Sequence, residues 1–406
     1  MIKEAIEIIV GNQSLTMEQA AEVMEEIMSG EATPAQFAAF VTALRIKGET
    51  VDEIVGLASV MRAKATPVQV SPPVVDTCGT GGDSSFTFNI STGAAFVTAL
   101  RVKGETVNEI IGLASVMRAK AIPVQVTPPV IDTCGTGGDS SFTFNISTGA
   151  AFVAAGAGLK VAKHGNRAMS SHCGSADVLE SLGVKIDLGA EAVAQCLEKV
   201  GIGFMFAPIF HPAMKYAAAP RREIGIRTVF NILGPLTNPA HAEFQVIGVP
   251  SKELGEKIAF VLHRLGTKHS LVVHGMDGMD EISISENSLV WDVTQDEVSP
   301  AYEVCPRDFG FPEANREEVK GGTPEENAEM LHRILKGERG AWRNIVVLNA
   351  TAALVAGNRA SNLEEGARIA EEIIDSGKAL AKLDGLVRLS QSLSSESQQL
   401  IKKDVT

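Results

Sequence analysis

The sequence is poor in cysteine, in long apolar runs and in positive charge, and each shortage argues against a class of protein. Its five cysteines include no CxxC pair, and Cys78 and Cys134 occupy equivalent positions in a repeat, so neither a disulfide framework nor a zinc site is expected. No apolar run reaches the roughly 20 residues of a membrane-spanning helix. The net charge of −13 opposes general affinity for nucleic acid or anionic membranes.

What remains is the composition of an ordinary globular protein. With 406 residues and 45% apolar content, the chain can form two or three domains around a sizeable core. Lys3, Glu4 and Glu7 interrupt the apolar residues at the N-terminus, which does not resemble a targeting segment. We therefore expect a cytoplasmic protein that binds a polyanion only through a local basic pocket.

A 56-residue segment occurs twice in tandem, as residues 40–95 and 96–151. A solenoid would need at least three such units, so we interpret the repeat as an insertion into a chain of about 350 residues. The two copies differ only at Ile46/Val102, Asp52/Asn108, Val55/Ile111, Thr66/Ile122, Ser71/Thr127 and Val75/Ile131.

The flanks of the repeat suggest which structural role each copy has. Copy one follows the helix-start signal Thr33-Pro34-Ala35-Gln36, whereas copy two continues into the predicted strand Leu159–Ala162. Lengthening a linker destabilises the fold only slightly, through the entropy of loop closure, whereas interrupting a core helix costs more folding free energy. We therefore predict a helical domain at 1–66, joined by helices from about 210–240, a duplicated excursion at 67–122, and an α/β domain at 123–406.

Local signals predict helices first and then alternating strands and helices. Capping boxes at Thr16–Gln19, Thr33–Gln36 and Thr50–Glu53 begin three helices of the small domain. In the larger domain the alternation favours an α/β fold with a mainly parallel sheet and ligands at the strand carboxyl ends. Its predicted strands are Leu159–Ala162, Val184–Ile186, Phe244–Val249, Ser270–His274 and Asn344–Leu348; its helices are Ala176–Leu182, Leu254–Leu265, Glu325–Leu335 and Leu363–Ile374, with a mobile tail from about Ser392.

The stretch Asp132–Thr148, DTCGTGGDSSFTFNIST, is typical of a phosphate-binding loop. Its glycines let backbone N–H groups approach an anion, and the following helix start favours negative charge. Asp139 adds a carboxylate, and Asn145 and Ser147 add amide and hydroxyl groups. The alternative is a plain glycine turn between a strand and a helix.

Three further clusters of charged residues help to decide between a phosphate-binding loop and a plain glycine turn. Lys163 to Ser171 forms a basic segment after a strand, with the alternative that its charges are merely solvated. Arg221 precedes an apolar segment and suits a planar carboxylate, unless it only pairs with Glu223. Gly275–Glu281 places adjacent acids at a strand end, which suits Mg²⁺ or is a solvated acidic turn.

Taken together, these motifs resemble those of the anthranilate phosphoribosyltransferase family. DTCGTGGD, NIST, KHGNR, GSAD, RREIGIRTVFNILGPLTNP and GMDE occur in the family's order and, counted from copy two, with its spacing; the duplication is the departure. The resemblance implies a nucleoside-phosphorylase-like architecture, a homodimer, and Mg²⁺-dependent transfer of phosphoribose from phosphoribosyl pyrophosphate to anthranilate in tryptophan biosynthesis.

The resemblance also implies roles for individual residues. Lys163 would stabilise the leaving pyrophosphate, Arg221 would aim the amine, and His164 would orient groups rather than accept a proton, since an arylamine is already neutral near pH 7. The implied phosphoribosyl pyrophosphate site is Gly135, Gly138, Asp139, Thr143, Asn145, Ile146, Ser147, Thr148, Lys163, Ser171 and Ser175; the anthranilate site is Gly135, Asn166 and Arg221; the metal site is Ser147, Asp280 and Glu281; and the catalytic set is Lys163, His164 and Arg221.

Three other functions stay open at this point. A pyrimidine nucleoside phosphorylase would use free phosphate and no acidic metal pair, so Asp280, Glu281 and Arg221 weigh against it. A nucleic-acid-binding relative would need an extended basic face, which the charge of −13 opposes. The third is an inactive product of the duplication.

Overall fold

The chain folds into two compact units. The computed structural model describes residues 1–65, 90–137, 139, 141–168, 172–214, 217, 224 and 226–404, with the backbone alone at 90–95 and 395–404. One unit comprises Met1–Glu105 and Met214–Phe230, and the other comprises Thr106–Ala213 and Asn231–Thr406. No helix of the described residues is long and apolar enough to cross a membrane.

The first unit is helical, and the sequence signals that begin its helices are visible in the structure. In each of the three predicted capping boxes the threonine hydroxyl accepts a hydrogen bond from the third backbone N–H of the helix, and that residue's side chain accepts one in return. Ile2, Ile6, Ile9 and Phe40 form the core of this unit. Its helices are α1 (Ile2–Val10), α2 (Met17–Met28), α3 (Pro34–Lys47), α4 (Val51–Lys64) and α5 (Ile90–Lys103).

Helix α4 packs on α2 at a glycine and is tied to the end of α3 by a buried carboxylate. Glu53 is fully buried and accepts hydrogen bonds from the backbone N–H of Leu15 at 2.8 Å and from Lys47 Nζ at 2.9 Å. Burial by itself would raise the pKa of Glu53, but these hydrogen bonds outweigh it and lower that pKa. At Gly56 the helices are so close that a Cβ atom would lie 2.2 Å from the carbonyl oxygen of Met17.

The second unit is built on a seven-stranded sheet in the order β3-β2-β1-β4-β5-β6-β7. Strands β1 to β5 pair in parallel, as the predicted α/β fold requires, and β6 and β7 add an antiparallel edge. The strands are β1 (Ile131–Gly135), β2 (Val161–Gly165), β3 (Ile202–Phe206), β4 (Phe244–Gly248), β5 (His269–Gly275), β6 (Ser288–Thr294) and β7 (Tyr302–Val304).

Helices cover this sheet, and the small-residue helix that follows β1 is buried at its centre. That helix runs from Ile146 to Gly156, and Ala150 to Ala155 are almost fully buried, which allows close packing against the long helix at 341–356. The helices are α6 (Val107–Lys120), α7 (Ile146–Gly156), α8 (Ser175–Ser181), α9 (Ala190–Lys199), α10 (Ala207–Phe210), α11 (Val229–Leu236), α12 (Lys252–Arg264), α13 (Pro324–Leu335), α14 (Ala341–Ala356), α15 (Leu363–Asp375) and α16 (Lys378–Asp404).

Two local sequence predictions are wrong. The predicted strand Asn344–Leu348 lies inside α14, because a short run that is buried on every side has the same pattern in a strand and in a helix. Val184 and Ile186 are buried, but residues 184–186 form no strand of the sheet, and the backbone N–H of Lys185 donates to Ser390 Oγ. The tail from Ser392, for which the sequence predicts mobility, is helical as the end of α16, which runs to Asp404.

Two helices lie in the described part of the segment 67–122, which the sequence predicts to be an excursion. Residues 90–103 form α5, which packs on α3 and buries Val97 in the helical core, and residues 107–120 form α6. Residues 67–89 of this segment lie outside the described part of the chain. Helix α6 begins after Thr106 because Thr106 and Glu109 form the same capping box as Thr50 and Glu53.

Although α4 and α6 have nearly the same sequence, they bury different faces. Helix α4 buries Glu53 and Gly56, whereas α6 buries Ile110 and Ala114 and packs on α12. Asn108, which replaces Asp52 of the first copy, accepts a hydrogen bond from Arg264 of α12. The two copies of this helix are therefore not structural equivalents.

Candidate active site

A cavity of about 300 Å³ opens at the carboxyl ends of β1 and β2 in the α/β unit. It is lined by the loop after β1, the segment after β2, the start of α8 and the acidic loop after β5, so the parallel strands bring four sequence-distant motifs to one edge of the sheet. Thirteen of the predicted site residues line it: Gly135, Asp139, Thr143, Asn145, Ile146, Ser147, Thr148, Lys163, His164, Asn166, Ser175, Asp280 and Glu281. The predicted residues Gly138, Ser171 and Arg221 lie outside the described part of the chain.

The glycine loop after β1 lies directly against the acidic loop. A Cβ atom at Gly135 would lie 2.3 Å from Asp280 Oδ2, so only glycine leaves room for that carboxylate. Gly137 has a φ of +74°, and its backbone N–H donates to Asp280 Oδ2 at 2.6 Å. The loop therefore has the backbone freedom expected of a phosphate cradle, and one of its N–H groups is already paired with a carboxylate.

Lys163 lies at the centre of the site and is only 2% exposed. Its ammonium donates to the carbonyl oxygen of Thr133 at 2.6 Å and to Ser147 Oγ at 3.3 Å. Burial lowers the pKa of Lys163, and the negative charge of Asp132 opposes that shift. A buried cation therefore stands next to the loop that would hold an anion.

Asp132 is a buried carboxyl group behind the site that the sequence analysis did not single out. It is fully buried, accepts a hydrogen bond from Asn238 Nδ2 at 2.8 Å and accepts one from the backbone N–H of His164 at 3.3 Å. Burial raises the pKa of Asp132, while the nearby charge of Lys163 acts in the opposite direction. The available signal was a charged residue within an apolar strand, immediately before a glycine loop.

Three carboxyl groups, those of Asp139, Asp280 and Glu281, line the same cavity. Burial and the charge of Asp280 raise the pKa of Glu281 well above its usual range, and Asp139 adds to the shift. Asp139 Oδ2 is buried without a hydrogen-bond partner among the described residues. Mutually repelling carboxylates with an unsatisfied oxygen are chemically suited to a hard divalent cation.

The arrangement does not amount to a complete protein cage for a metal. Among the described residues, no group of three or more His, Cys, Asp or Glu side chains is placed to hold a metal ion. This is compatible with Mg²⁺, which is commonly held by one or two carboxylates, water and substrate phosphates. Asp280, Glu281 and Ser147 line the same cavity, and the backbone of Ser147 is hydrogen-bonded to Glu281, so the three fit a metal that also takes ligands from water or phosphate.

His164 is held as a neutral ring. Its Nδ1 lies 3.2 Å from the carbonyl oxygen of Gly234, which assigns the proton to Nδ1, and its Nε2 is buried without a partner among the described residues. Its ring centroid is 5.0 Å from that of His211. Burial, reinforced by His211, lowers the pKa of His164 to about 3. So weak a base suits the predicted orienting role better than proton abstraction.

Arg167, the other cation of the predicted basic segment, is held in ion pairs. Its Nη1 atom lies 2.9 Å from Asp177 Oδ1 and 2.8 Å from Glu180 Oε2. Asp177 also accepts hydrogen bonds from the backbone of Ala168 and Gly174, which ties the segment after β2 to the start of α8. Arg167 thus shapes the wall of the cavity, and Lys163 is the buried cation within it.

Comparison with family models defines the class of protein. The model described as "Glycosyl transferase family, a/b domain" matches residues 127–380. The model described as "Glycosyl transferase family, helical bundle domain" matches residues 3–65 and 91–121, which include α5 and α6. The chain is a glycosyl transferase with a helical bundle domain and an α/β domain.

Individual relatives narrow the class further. Anthranilate phosphoribosyltransferase of Dehalococcoides mccartyi strain CBDB1 is 52% identical over 396 residues, 97% of this chain and 100% of the relative. That of Chloroflexus aurantiacus strain J-10-fl is 50% identical over 391 residues, 96% and 99% of the two chains. The crystal structure of the Thermus thermophilus enzyme matches with a TM-score of 0.69 and 37% identity, covering 95% and 99%.

One similar structure, of the yeast enzyme, contains bound ligands. The Saccharomyces cerevisiae structure in complex with PRPP and Mg has a TM-score of 0.69 and 27% identity to this chain, covering 92% and 98%. This chain belongs to the anthranilate phosphoribosyltransferase family.

Proposed function

We propose that this chain transfers the phosphoribosyl group of phosphoribosyl pyrophosphate to the amine of anthranilate, releasing pyrophosphate, as a step of tryptophan biosynthesis. The observation that carries the proposal is the cavity in which buried Lys163 contacts Ser147 at 3.3 Å and which Asp280 and Glu281 also line. A glycine loop, a buried cation and a carboxylate pair suit a substrate with two phosphate groups and a divalent metal.

The glycine loop and the segment after β2 would bind the phosphoribosyl pyrophosphate. The first residues of α7, Ile146 to Thr148, line the cavity at a helix N-terminus, where the helix dipole favours the negative charge of a phosphate. Gly135, Asp139, Thr143, Asn145 and Ser175 line the same cavity. Gly138 and Ser171 complete this assignment by sequence.

Asp280, Glu281 and Ser147 would hold Mg²⁺ together with the pyrophosphate. The ion would supply charge neutralisation for the departing pyrophosphate. The negative charge of Asp280 raises the pKa of Glu281. A bound cation would relieve the repulsion between these two carboxylates and would favour their charged forms. The yeast complex with PRPP and Mg supports the use of Mg²⁺ together with phosphoribosyl pyrophosphate.

Anthranilate would bind beside His164 and Asn166, with Gly135 near its carboxylate. We assign the carboxylate clamp to Arg221 by sequence, because a guanidinium binds a planar carboxylate through two hydrogen bonds. The yeast structure in complex with 4-fluoroanthranilate, 25% identical with a TM-score of 0.68, supports an anthranilate-type acceptor.

The chemistry then needs positioning and charge stabilisation more than proton transfer. The C1–O bond to pyrophosphate breaks, positive charge develops on the ribose, and the neutral amine of anthranilate forms the new C–N bond and then loses one proton to the departing pyrophosphate or to water. The buried ammonium of Lys163 stabilises the leaving pyrophosphate, and the neutral ring of His164 helps to orient the bound anthranilate.

We also propose that the protein is a homodimer in the cytoplasm, as the family resemblance implies.

The direct test is a transfer assay with purified protein, anthranilate, phosphoribosyl pyrophosphate and MgCl₂. We expect loss of anthranilate fluorescence and release of one pyrophosphate for each anthranilate consumed, both abolished by chelating the metal. Phosphorolysis of a pyrimidine nucleoside with inorganic phosphate, with no transfer to anthranilate, would replace this proposal with a nucleoside phosphorylase.

A further inference from the structure

Arg316 lies outside the cavity and connects the two loops that form it. It begins a short 3₁₀ turn, Arg316–Val319, and is half-buried. Its Nη2 donates to Ser141 Oγ of the glycine loop at 2.6 Å, and its Nη1 donates to the carbonyl oxygen of Asp277 in the acidic loop at 3.1 Å. One guanidinium therefore contacts both loops at once.

On the glycine-loop side, the contact leads to a carboxylate of the site. The backbone N–H of Ser141 donates to Asp139 Oδ1 at 3.1 Å, which leaves Asp139 Oδ2 as the buried oxygen without a partner among the described residues. Fixing Ser141 thus fixes the orientation of Asp139. Behind the loop, the backbone N–H of Gly321 donates to the carbonyl oxygen of Phe142 at 2.8 Å.

On the acidic side, the contact reaches a loop that is already braced. Asp277 Oδ2 accepts hydrogen bonds from Ser283 Oγ at 2.7 Å and from Ser285 Oγ at 2.6 Å. Three residues further along the chain is Asp280, which accepts the N–H of Gly137. Because these hydrogen bonds hold the acidic loop in place, the contacts of Arg316 fix the position of the glycine loop relative to it.

We propose that Arg316 is a positioning residue for the binding of phosphoribosyl pyrophosphate with Mg²⁺, and this inference rests on the proposed function. Its guanidinium sets the spacing between Asp139 on the glycine loop and the carboxylates of the acidic loop. Partners that orient metal-binding groups from outside typically contribute about 10–100-fold to metal affinity. A guanidinium donating to two oxygens on different loops is suited to this role, which a single-point ammonium fills only in part.

The test measures binding of phosphoribosyl pyrophosphate in MgCl₂ by isothermal titration calorimetry. We expect Arg316→Ala to weaken binding about tenfold, Arg316→Lys to recover part of the loss, and Arg307→Ala to match the parent. Arg307 is the matched control because it is 74% exposed and pairs only with Glu313 among the described residues. Adding Ser141→Ala to Arg316→Ala should cost little more, because both changes break the same contact.

Hydrogen exchange supplies a readout that does not depend on the ligand. Amides of residues 141–144 should exchange faster in Arg316→Ala than in the parent, while those of α12 are unchanged. Unchanged exchange, or parental affinity in Arg316→Ala, would overturn the inference. An affinity loss that Arg316→Lys does not restore and that comes with general unfolding would also overturn it, in favour of a purely structural role. Failure of the parent itself to bind would count against the proposed function, and the exchange experiment would still decide whether Arg316 holds the glycine loop.

Discussion

The matched glycines of the repeat provide a sharp test of where its two helices lie. Gly56 in α4 and Gly112 in α6 have nearly identical neighbours in sequence but different surroundings. A Cβ at Gly56 would lie 2.2 Å from Met17 O and 2.9 Å from Ala20 Cβ, whereas a Cβ at Gly112 would meet nothing within 4 Å. The same substitution, glycine to alanine, should therefore have opposite effects at the two sites.

The magnitudes follow from two competing terms. Replacing glycine by alanine in a helix interior gains about 1 kcal/mol in helix propensity, and Gly112→Ala should show up to that gain. At Gly56 the same gain is opposed by overpacking against a backbone carbonyl, which costs about 3 kcal/mol at the upper end of its usual range. Gly56→Ala should thus destabilise the chain by about 2 kcal/mol, a difference of about 3 kcal/mol between the two variants.

Urea unfolding followed by circular dichroism measures the two changes, and hydrogen exchange of the α4 and α6 amides assigns each to its helix. We expect faster exchange across α4 in Gly56→Ala and slower or equal exchange across α6 in Gly112→Ala. If both variants are equally stabilised, α4 does not pack on α2 at Gly56. If Gly112→Ala is the destabilised one, the second copy of the helix occupies that contact.

Two further predictions concern the site. Because the pKa of His164 is lowered to about 3 in the folded chain, the unfolded chain binds the extra proton between pH 6.5 and 3, so stability is lost as the pH falls through that range. His164→Asn should remove about 2 kcal/mol of the decrease between pH 6.5 and pH 5, measured by urea unfolding at each pH, and an identical pH dependence in the variant would contradict the assignment. Asp280→Asn combined with Glu281→Gln should abolish Mg²⁺-dependent binding of phosphoribosyl pyrophosphate in calorimetry. The melting temperature should not fall, because the double change removes the repulsion that raises the pKa of Glu281. A dependence on MgCl₂ equal to that of the parent would show that the pair is not part of the metal site.

Local signals were enough to predict much of the fold. A capping box involves residues three apart, so the starts of α2, α3 and α4 could be read directly. The convergence of the glycine loop and the acidic loop followed from one rule, that parallel strands present their carboxyl ends at the same edge. One misassigned segment was Asn344–Leu348, where uniform burial erases the periodicity that separates helix from strand.

The supporting contacts of the site could not be predicted, because they join residues that are distant in sequence. Asp132 and Asn238 are 106 residues apart, and Ser141 and Arg316 are 175 residues apart. Neither pair carries a motif, since an isolated Asn or Arg in a polar segment is ordinary. For the same reason the packing of α5 on α3 was missed, because the sequence of a repeat predicts a helix but not the surface on which it packs.

The proposed transfer and the choice of repeat copy are measured together by the initial rate of anthranilate consumption, with phosphoribosyl pyrophosphate and MgCl₂, in the parent, Ser147→Ala and Ser91→Ala. The two serines are equivalent in the repeat, but Ser147 Oγ accepts a hydrogen bond from buried Lys163 in the cavity. We expect transfer by the parent, a loss of about tenfold or more in kcat/KM for Ser147→Ala, and a rate within about twofold of the parent for Ser91→Ala. An inactive Ser91→Ala beside a fully active Ser147→Ala, or a parent that consumes no anthranilate, would contradict the proposed function and site.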